Sequence, residues 1–544
     1  RSCLSHFFCK LRYATSSEKS TLFYNGKIYL GNKKFGYGFI VTNNYFSKIF
    51  YSDQEINFDL FKNKINLQNK LVLPSFIDTH THLLLVARNL QNLDLKNVFD
   101  FDNLKKIITK KINDENPKFI YANGFNEINF KPNKILNRLD LDLINDKIPI
   151  FIFRSDLHTV MVNTVGLKYL GLFERNVISH YGPEIILDDT TKLPTGVIKE
   201  NACQEVRKKI NSFFDFDSDY KNLVKVIQNL IKLGISTAVT CDIFEGEQDY
   251  IYSLYKKLLE EDKKVRIKHE LVFYKKEQLN NFLNSIEKEN GNDEFNKIID
   301  IKIFNDGSLG SQTAFLQKHY CNNKNNFGIL NYQKNELSDF INIAQKYKKQ
   351  IAIHSIGDAS SLRCISTISN LCKFNFARHK IIHFQLFDNF MINQVANNNI
   401  FLSVQPCFLE SDLTLLNNYV QQPTASVSYS FNKIYEKNEK IISFSTDAPV
   451  CDLNPFNNLF YAIHGDLINK PKNKERAFEI FDAVKCYTEN GAYSFFEEKK
   501  LGKISTNYLA DFIVLNQDIF SLKNDKEILK TEVVEHYING NKVY

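Results

Sequence analysis

Short apolar runs recur through the middle of the chain, and each breaks off into polar residues. Leu71 to Ile77 runs into Asp78, His80 and His82; Ser236 to Asp242, Arg266 to Tyr274 and Ile298 to Gly307 follow. Four more come later: Ile351 to Asp358, Lys380 to Gln385, Ile400 to Pro406 and Lys440 to Pro449. Runs this short, rich in Ile, Val and Phe, predict buried strands. Between most of them lie stretches with helical spacing of apolar residues, such as Tyr220 to Leu233 and Leu337 to Lys348. Eight strands alternating with helices predict an α/β fold, a (β/α)8 TIM-type barrel. The first interval is too long for one helix. Residues from about 85 to 215 are therefore expected to form an insertion after strand 1, with elements of its own such as FIYANGFNE and PIFIFRSDLHTVMVN.

The chain ends read differently. TLFYNGKIYL, from Thr21 to Leu30, sets apolar and aromatic residues on both sides of Asn25-Gly26, a dipeptide that favours a tight hairpin turn. ADFIVL and VVEHYINGNKVY, near the C-terminus, repeat the pattern, with Asn539-Gly540 at the turn. The economical arrangement is one small β-sandwich from residues 21–73 and 497–544, with the barrel, 74–496, inserted between them. Residues 1–20, basic and Ser-containing before the first acid at Glu18, are expected to be a leader or an unstructured segment.

Composition narrows the function. At 544 residues with 43% hydrophobic and 24% charged, the chain is an ordinary globular protein able to bury a large core. Its net charge of +7 is dispersed among interleaved acids with no basic block, so no nucleic-acid partner is expected. No run approaches a membrane span, and no membrane partner is expected. Ten cysteines without a CxxC pair argue against a disulfide framework and fit a reducing, cytoplasmic setting; a transit role for residues 1–20 would place the protein in an organelle instead. The expected partner is a small-molecule substrate, and a homo-oligomer is left open.

The candidate chemistry begins at Leu71 to His82. Alternate residues of a strand face one way, so His80 and His82 project together with Thr81 turned aside. Neutral imidazoles held at a strand end suit a divalent metal, and zinc most of all. The C-terminal ends of the strands are where a barrel of this kind does its chemistry, and there fall His80, His82, Lys302, His354, His383 and Asp447. Singly, each has an ordinary alternative: a hydrogen-bonded core histidine for His354 or His383, a turn cap for Asp447. Together, four histidines and an aspartate at four strand ends predict a metal centre. Asp306 follows Lys302 into a loop at the same face. Cys241 and Cys407 also lie near strand ends but show no arrangement for nucleophilic work.

The motifs LPSFIDTHTH, NGFNE, RSDLHTVMVNT, PTGVIKEN, KIFNDGSLGSQTA, AIHSIGD, IIHFQ, FSTDAPV and YLADFIVL give the chain a resemblance to the metal-dependent amidohydrolase superfamily. Within it the chain resembles amidohydrolase family 3, the YtcJ-like branch that includes N-substituted formamide deformylases. The resemblance covers nearly all of residues 21–544. Departures are Asn126 where Trp is usual, Gln312 where Arg is common, Ser445 where Gly is usual, and Thr506-Asn507 in place of Pro-Gly. Asn tolerates the left-handed backbone that Gly would supply.

The resemblance implies roles. His80 and His82 hold one metal, His354 and His383 a second position, and Lys302 bridges the two if carbon dioxide carboxylates its amine; one or two ions are consistent with this set. Asp447 binds metal and takes the proton of the attacking water. His158, in the insertion, hydrogen-bonds the substrate carbonyl; Glu200 is a further ligand or orienting acid; Asp306 and Gln312 stand near the substrate. Alternation in IIDIKIF agrees about Lys302, placing it with Asp300 and Phe304 on the inward face. The alternative for Lys302 is an unmodified amine paired with Asp300 or Asp306. The implied activity is metal-dependent hydrolysis of a non-peptide C–N bond in an amide, N-formyl or N-acyl compound. The alternatives are a cyclic amidohydrolase, a deaminase of a heterocycle, or a barrel that binds a ligand without turnover.

Overall fold

The computed structural model describes residues 20–127, 129–154, 159–173, 184–261, 264–289 and 293–544. The leader expected at residues 1–20 therefore lies, but for Ser20, outside the described residues.

An eight-stranded parallel sheet forms the centre of the fold. Its strands run in chain order around the sheet: Phe76–Thr81, Ile235–Phe244, Arg266–Val272, Asn296–Phe304, Gln350–Ser355, Lys380–His383, Phe401–Val404 and Ile442–Phe444. Each of the eight apolar runs supplies one strand. The sequence looked continuously apolar because both faces are covered; every residue of Phe76–Thr81 and of Arg266–Val272 is buried. The first and last strands are tied by side chains and loop backbone, which nearly closes the barrel. Asp78 accepts from the Thr446 hydroxyl at 2.7 Å and from the Thr446 N–H at 3.2 Å. The Asp447 N–H donates to the His80 carbonyl at 2.9 Å, and the His82 N–H to the Ala448 carbonyl at 2.8 Å. The loop carrying Asp447 is thus anchored on the strand that carries the two histidines.

The chain ends form two further sheets. One contains Tyr45–Phe50, Gly38–Thr42, Ser20–Tyr24 and Asn63–Asn66, in that order. The other joins both ends of the chain, in the order Asn541–Lys542, Val533–Ile538, Phe512–Leu515, Leu71–Pro74, Lys27–Tyr29 and Phe35–Gly36. Phe512 pairs with Pro74 and Val514 with Val72, so the C-terminal strands complete a sheet begun far upstream. The sheets share an aromatic core in which Phe512 stacks on Tyr537 at 4.5 Å while Phe23 meets both edge-on, at 5.1 and 5.2 Å. Edge-to-face and stacked pairs of this kind add to the burial of the rings themselves.

The expected hairpin at Asn25-Gly26 does not form. Ser20–Tyr24 takes Gly38–Thr42 and Asn63–Asn66 as partners, which fills both of its edges, and Lys27–Tyr29 pairs with Leu71–Pro74 in the other sheet. Asn25, at φ 57°, carries the chain from one sheet to the other. Glycine follows because a Cβ at Gly26 would lie 2.7 Å from the Leu67 side chain. At the C-terminus the same dipeptide does turn a hairpin: Asn539 and Gly540 have φ 50° and 73°, and Ile538 pairs with Asn541 across them.

Residues 86–222 form a compact unit of their own. Its six-stranded sheet runs Ile185–Leu187, Pro194–Lys199, Thr159–Val162, Ile150–Arg154, Ile120–Phe125 and Leu93–Asp94. Apolar clusters cover it, one including Leu104, Ile108, Ile120 and Ile152, another Phe151, Phe153, Val160 and Val206. The stretches FIYANGFNE and PIFIFRSDLHTVMVN, expected to form elements of the insertion, supply the strands Ile120–Phe125, Ile150–Arg154 and Thr159–Val162. No helix of the described residues is long and apolar enough to cross a membrane.

Candidate metal centre

His80 ends its strand one residue early, and His82 follows the strand directly. Their Nε2 atoms lie 3.3 and 3.1 Å from one oxygen, Oδ1 of Asp447. The His80 ring is 5.1 Å from that of His82 and 5.7 Å from that of His383, and His383 is 4.5 Å from His354. His80, His383 and Asp447 offer ligand atoms all within 4.8 Å of one another. The backbone at this point is unusual for residues with side chains: His383, Phe384 and Asp447 have φ of 83°, 46° and 53°.

The far nitrogen of each ring decides what the near one does. His80 Nδ1 meets Glu270 Oε2 at 2.8 Å, His82 Nδ1 meets the Cys241 carbonyl at 3.0 Å, and His383 Nδ1 meets Gln405 Oε1 at 2.8 Å. All three partners are acceptors, so each Nδ1 carries the proton and each neutral ring presents an Nε2 lone pair. Two of these lone pairs face Asp447 Oδ1, a buried oxygen with no hydrogen-bond donor of its own among the described residues. Acceptors opposed in this way repel one another unless a cation stands among them. Nitrogen and carboxylate donors of this kind suit a divalent ion such as zinc, so the residues fit the group. Protonation responds to the same demand. Burial and Lys302 push the His80 imidazole down, but Glu270 and Asp447 outweigh them and raise it. Burial opposes charge on Asp447, yet the contacts with His80 and His82 hold the carboxyl well below its usual range, as a proton or an ion standing between them would. His354 and His383 are both pushed down by burial first, His354 to about 4.

Lys302 is fully buried with Nζ 3.3 Å from His80 Nε2. Asp300 is taken by Lys380 at 2.8 Å. Asp306 accepts three backbone N–H groups, from Gly357 at 2.8 Å and from Phe315 and Ile356 at 3.0 Å. It therefore shapes the loop, and burial pushes its carboxyl up to about 7. Neither acid pairs with Lys302. His354 reaches the same loop, its Nε2 donating to the Gly307 carbonyl at 3.0 Å. Gln312 is half-buried at φ 55°, its carbonyl accepting from Asn326. Glu200 opens the helix Glu200–Asn211 of the separate unit, and its side chain is outside the described residues. His158 is outside them as well.

Two functional side chains escaped the sequence reading. Glu270 lies inside the third barrel strand, where the alternation of RIKHELV does place Arg266, Lys268 and Glu270 on one face. Gln405 directly follows the seventh, Phe401–Val404. It is held in turn by Ser445, whose hydroxyl accepts from Gln405 Nε2 at 2.8 Å and lies 2.9 Å from that of Ser403. A departure from the family pattern thus supports the amide that orients His383. Asn507 takes the left-handed conformation expected of it, at φ 70°.

The model of the amidohydrolase family matches residues 64–544. The chain belongs to that family. Among its relatives is YtcJ of Bacillus subtilis (strain 168), which bears the name of an amidohydrolase; the two are 26% identical over 88% of this chain and 90% of that one. Protein LONG AFTER FAR-RED 3 of Arabidopsis thaliana is 25% identical over 88% of this chain and 83% of its own length. The crystal structure of an uncharacterised metal-dependent hydrolase from Pyrococcus horikoshii OT3 has the same fold, with a TM-score of 0.77 at 24% identity over 93% of this chain and 99% of that one. Family membership places the chain among hydrolases.

Proposed function

We propose that this amidohydrolase-family member cleaves a C–N bond other than a peptide bond, in a small amide, N-formyl or N-acyl compound, at a divalent metal held by His80, His82 and His383 with Asp447. The observation that carries this is the pair of Nε2 lone pairs aimed at the donorless Oδ1 of Asp447. The ion, when bound, lowers the pKa of a water towards about 7 and polarises a carbonyl. The chain's own residues do the rest. Asp447, ionised at neutral pH, accepts the proton of the attacking water and returns it to the leaving nitrogen. Phe408 stacks on His383 at 5.9 Å and Phe304 lies against His354 at 5.4 Å, so the imidazoles have apolar backing that excludes water behind them. His158 is the candidate donor to the substrate carbonyl.

Lys302 enters the same proposal. Its amine is buried beside the metal-facing nitrogen of His80 and forms no ion pair with a carboxylate among the described residues. Capture of carbon dioxide by this amine, with loss of a proton, would give a carbamate, an anion suited to bridging cations. Protein prepared with carbon-13 bicarbonate should show a carbamate carbon by NMR that is absent from Lys302→Ala, and that variant should lose most of its metal. Retention of full metal content and rate by Lys302→Ala would remove the bridging role.

The activity itself is tested by a screen of N-formyl, N-acyl and cyclic amides on zinc-loaded protein. Turnover of open-chain amides is expected. Turnover confined to ring opening or heterocycle deamination would reassign the substrate class, and no turnover of any would favour a binding barrel.

A further inference from the structure

We infer that Glu270 is a positioning residue for the metal centre: its carboxylate fixes the Nδ1 proton of His80 and thereby turns His80 Nε2 towards the ion. The inference rests on the metal reading above. The geometry is a crossing of the barrel interior. Glu270 belongs to the third strand, His80 to the first, and Ile235–Phe244 stands between them in the sheet, yet Oε2 and Nδ1 meet at 2.8 Å with both side chains fully buried.

The strand's other inward charges show what a structural role looks like. Arg266 is matched by Asp511 and by Glu294 at 2.7 Å, and Lys268 by Glu497 at 2.8 Å. Each has an acid of opposite charge for a partner. Glu270 instead has an imidazole through one oxygen, and its other oxygen, Oε1, is buried with no hydrogen-bond partner among the described residues. The far oxygen is not what sets Glu270 apart, for Asp300, paired with Lys380 at 2.8 Å, also keeps a buried oxygen without a partner among the described residues; what sets it apart is that its hydrogen bond goes to the ring nitrogen opposite the one that faces Asp447. An ionised acceptor on the far nitrogen fixes the tautomer and makes Nε2 a stronger donor to a metal, which a neutral carbonyl does less well.

The test uses the full chain and reads zinc affinity by competition with a chromophoric chelator. Glu270→Gln keeps the shape and removes the charge, so the zinc dissociation constant should rise about 10- to 100-fold. Glu270→Asp keeps the charge one methylene short and should recover part of the loss. A Glu270→Gln protein that binds zinc as tightly as the wild type, whether or not its melting temperature falls, overturns the inference. Wild-type protein with no zinc affinity overturns the metal reading itself. The wild type also provides a check independent of any variant folding. In zinc-loaded protein the His80 proton, assigned by its loss in His80→Ala, should sit on Nδ1 in long-range proton–nitrogen spectra; a proton on Nε2 overturns the inference.

Discussion

Stripping divalent metal from the purified protein with a chelator should take turnover to background, and adding zinc or manganese should restore it. The expectation follows from electrostatics before any kinship is invoked. His80 and His82 have their Nδ1 protons committed to Glu270 and to the Cys241 carbonyl, so what each turns towards Asp447 is a lone pair. The Asp447 oxygen they meet, at 3.3 and 3.1 Å, is an acceptor too. With an ion among them the three become ligands; without it, a proton on His80 is the substitute, and a protonated imidazole cannot bind metal or polarise a carbonyl. Stability gives a second readout. An ion that binds only the folded chain adds about 2.7 kcal/mol when its free concentration is a hundred times its dissociation constant, so the melting temperature should rise with added zinc. Rigorously metal-free protein that retains full activity would refute the centre.

What the sequence disclosed follows the range of the forces involved. The eight barrel strands were legible because a strand covered on both faces must be apolar along its length, and the runs stop where side chains reach the catalytic face. The gathering of His80, His82, His383 and Asp447 at one end of the barrel was legible for the same reason, since polar residues at buried strand ends are costly without a task. Asn25-Gly26 was misread because turn chemistry specifies a change of direction and leaves the pairing partner open. Asn63–Asn66 and Gly38–Thr42 compete for the edges of Ser20–Tyr24, and that competition is not written in the dipeptide. At Asn539-Gly540 no rival strand intervenes, and the hairpin closes. Glu270 was hidden by its surroundings. Three charged residues alternate through RIKHELV, and only the fold reveals that two meet carboxylates while the third meets the imidazole of His80. Ser445 was visible as a departure from family usage, but its use as a brace for Gln405 needs the seventh and eighth strands side by side.

Asp447→Asn should lower turnover on the order of 10² or more while leaving the fold intact. The substitution is unusually clean at this position. Asp447 has φ 53°, a left-handed conformation that Asn adopts as readily as Asp and that Ala or a β-branched residue would resist. Its backbone hydrogen bonds, the N–H to the His80 carbonyl and the carbonyl to the Val450 N–H, are unaffected by the change. The amide fills the same space. What it lacks is the negative charge, and with it the capacity to take a proton from water and hand it to a leaving nitrogen. A neutral amide is also a poorer ligand, so part of the loss could come from metal affinity. Measuring the rate at saturating zinc separates the two: if the proton transfer belongs to Asp447, kcat stays depressed when the site is full. Thermal unfolding of Asp447→Asn close to that of the wild type would show that the architecture survived. A kcat within a few-fold of the wild type at saturating zinc would assign the proton transfer to another residue.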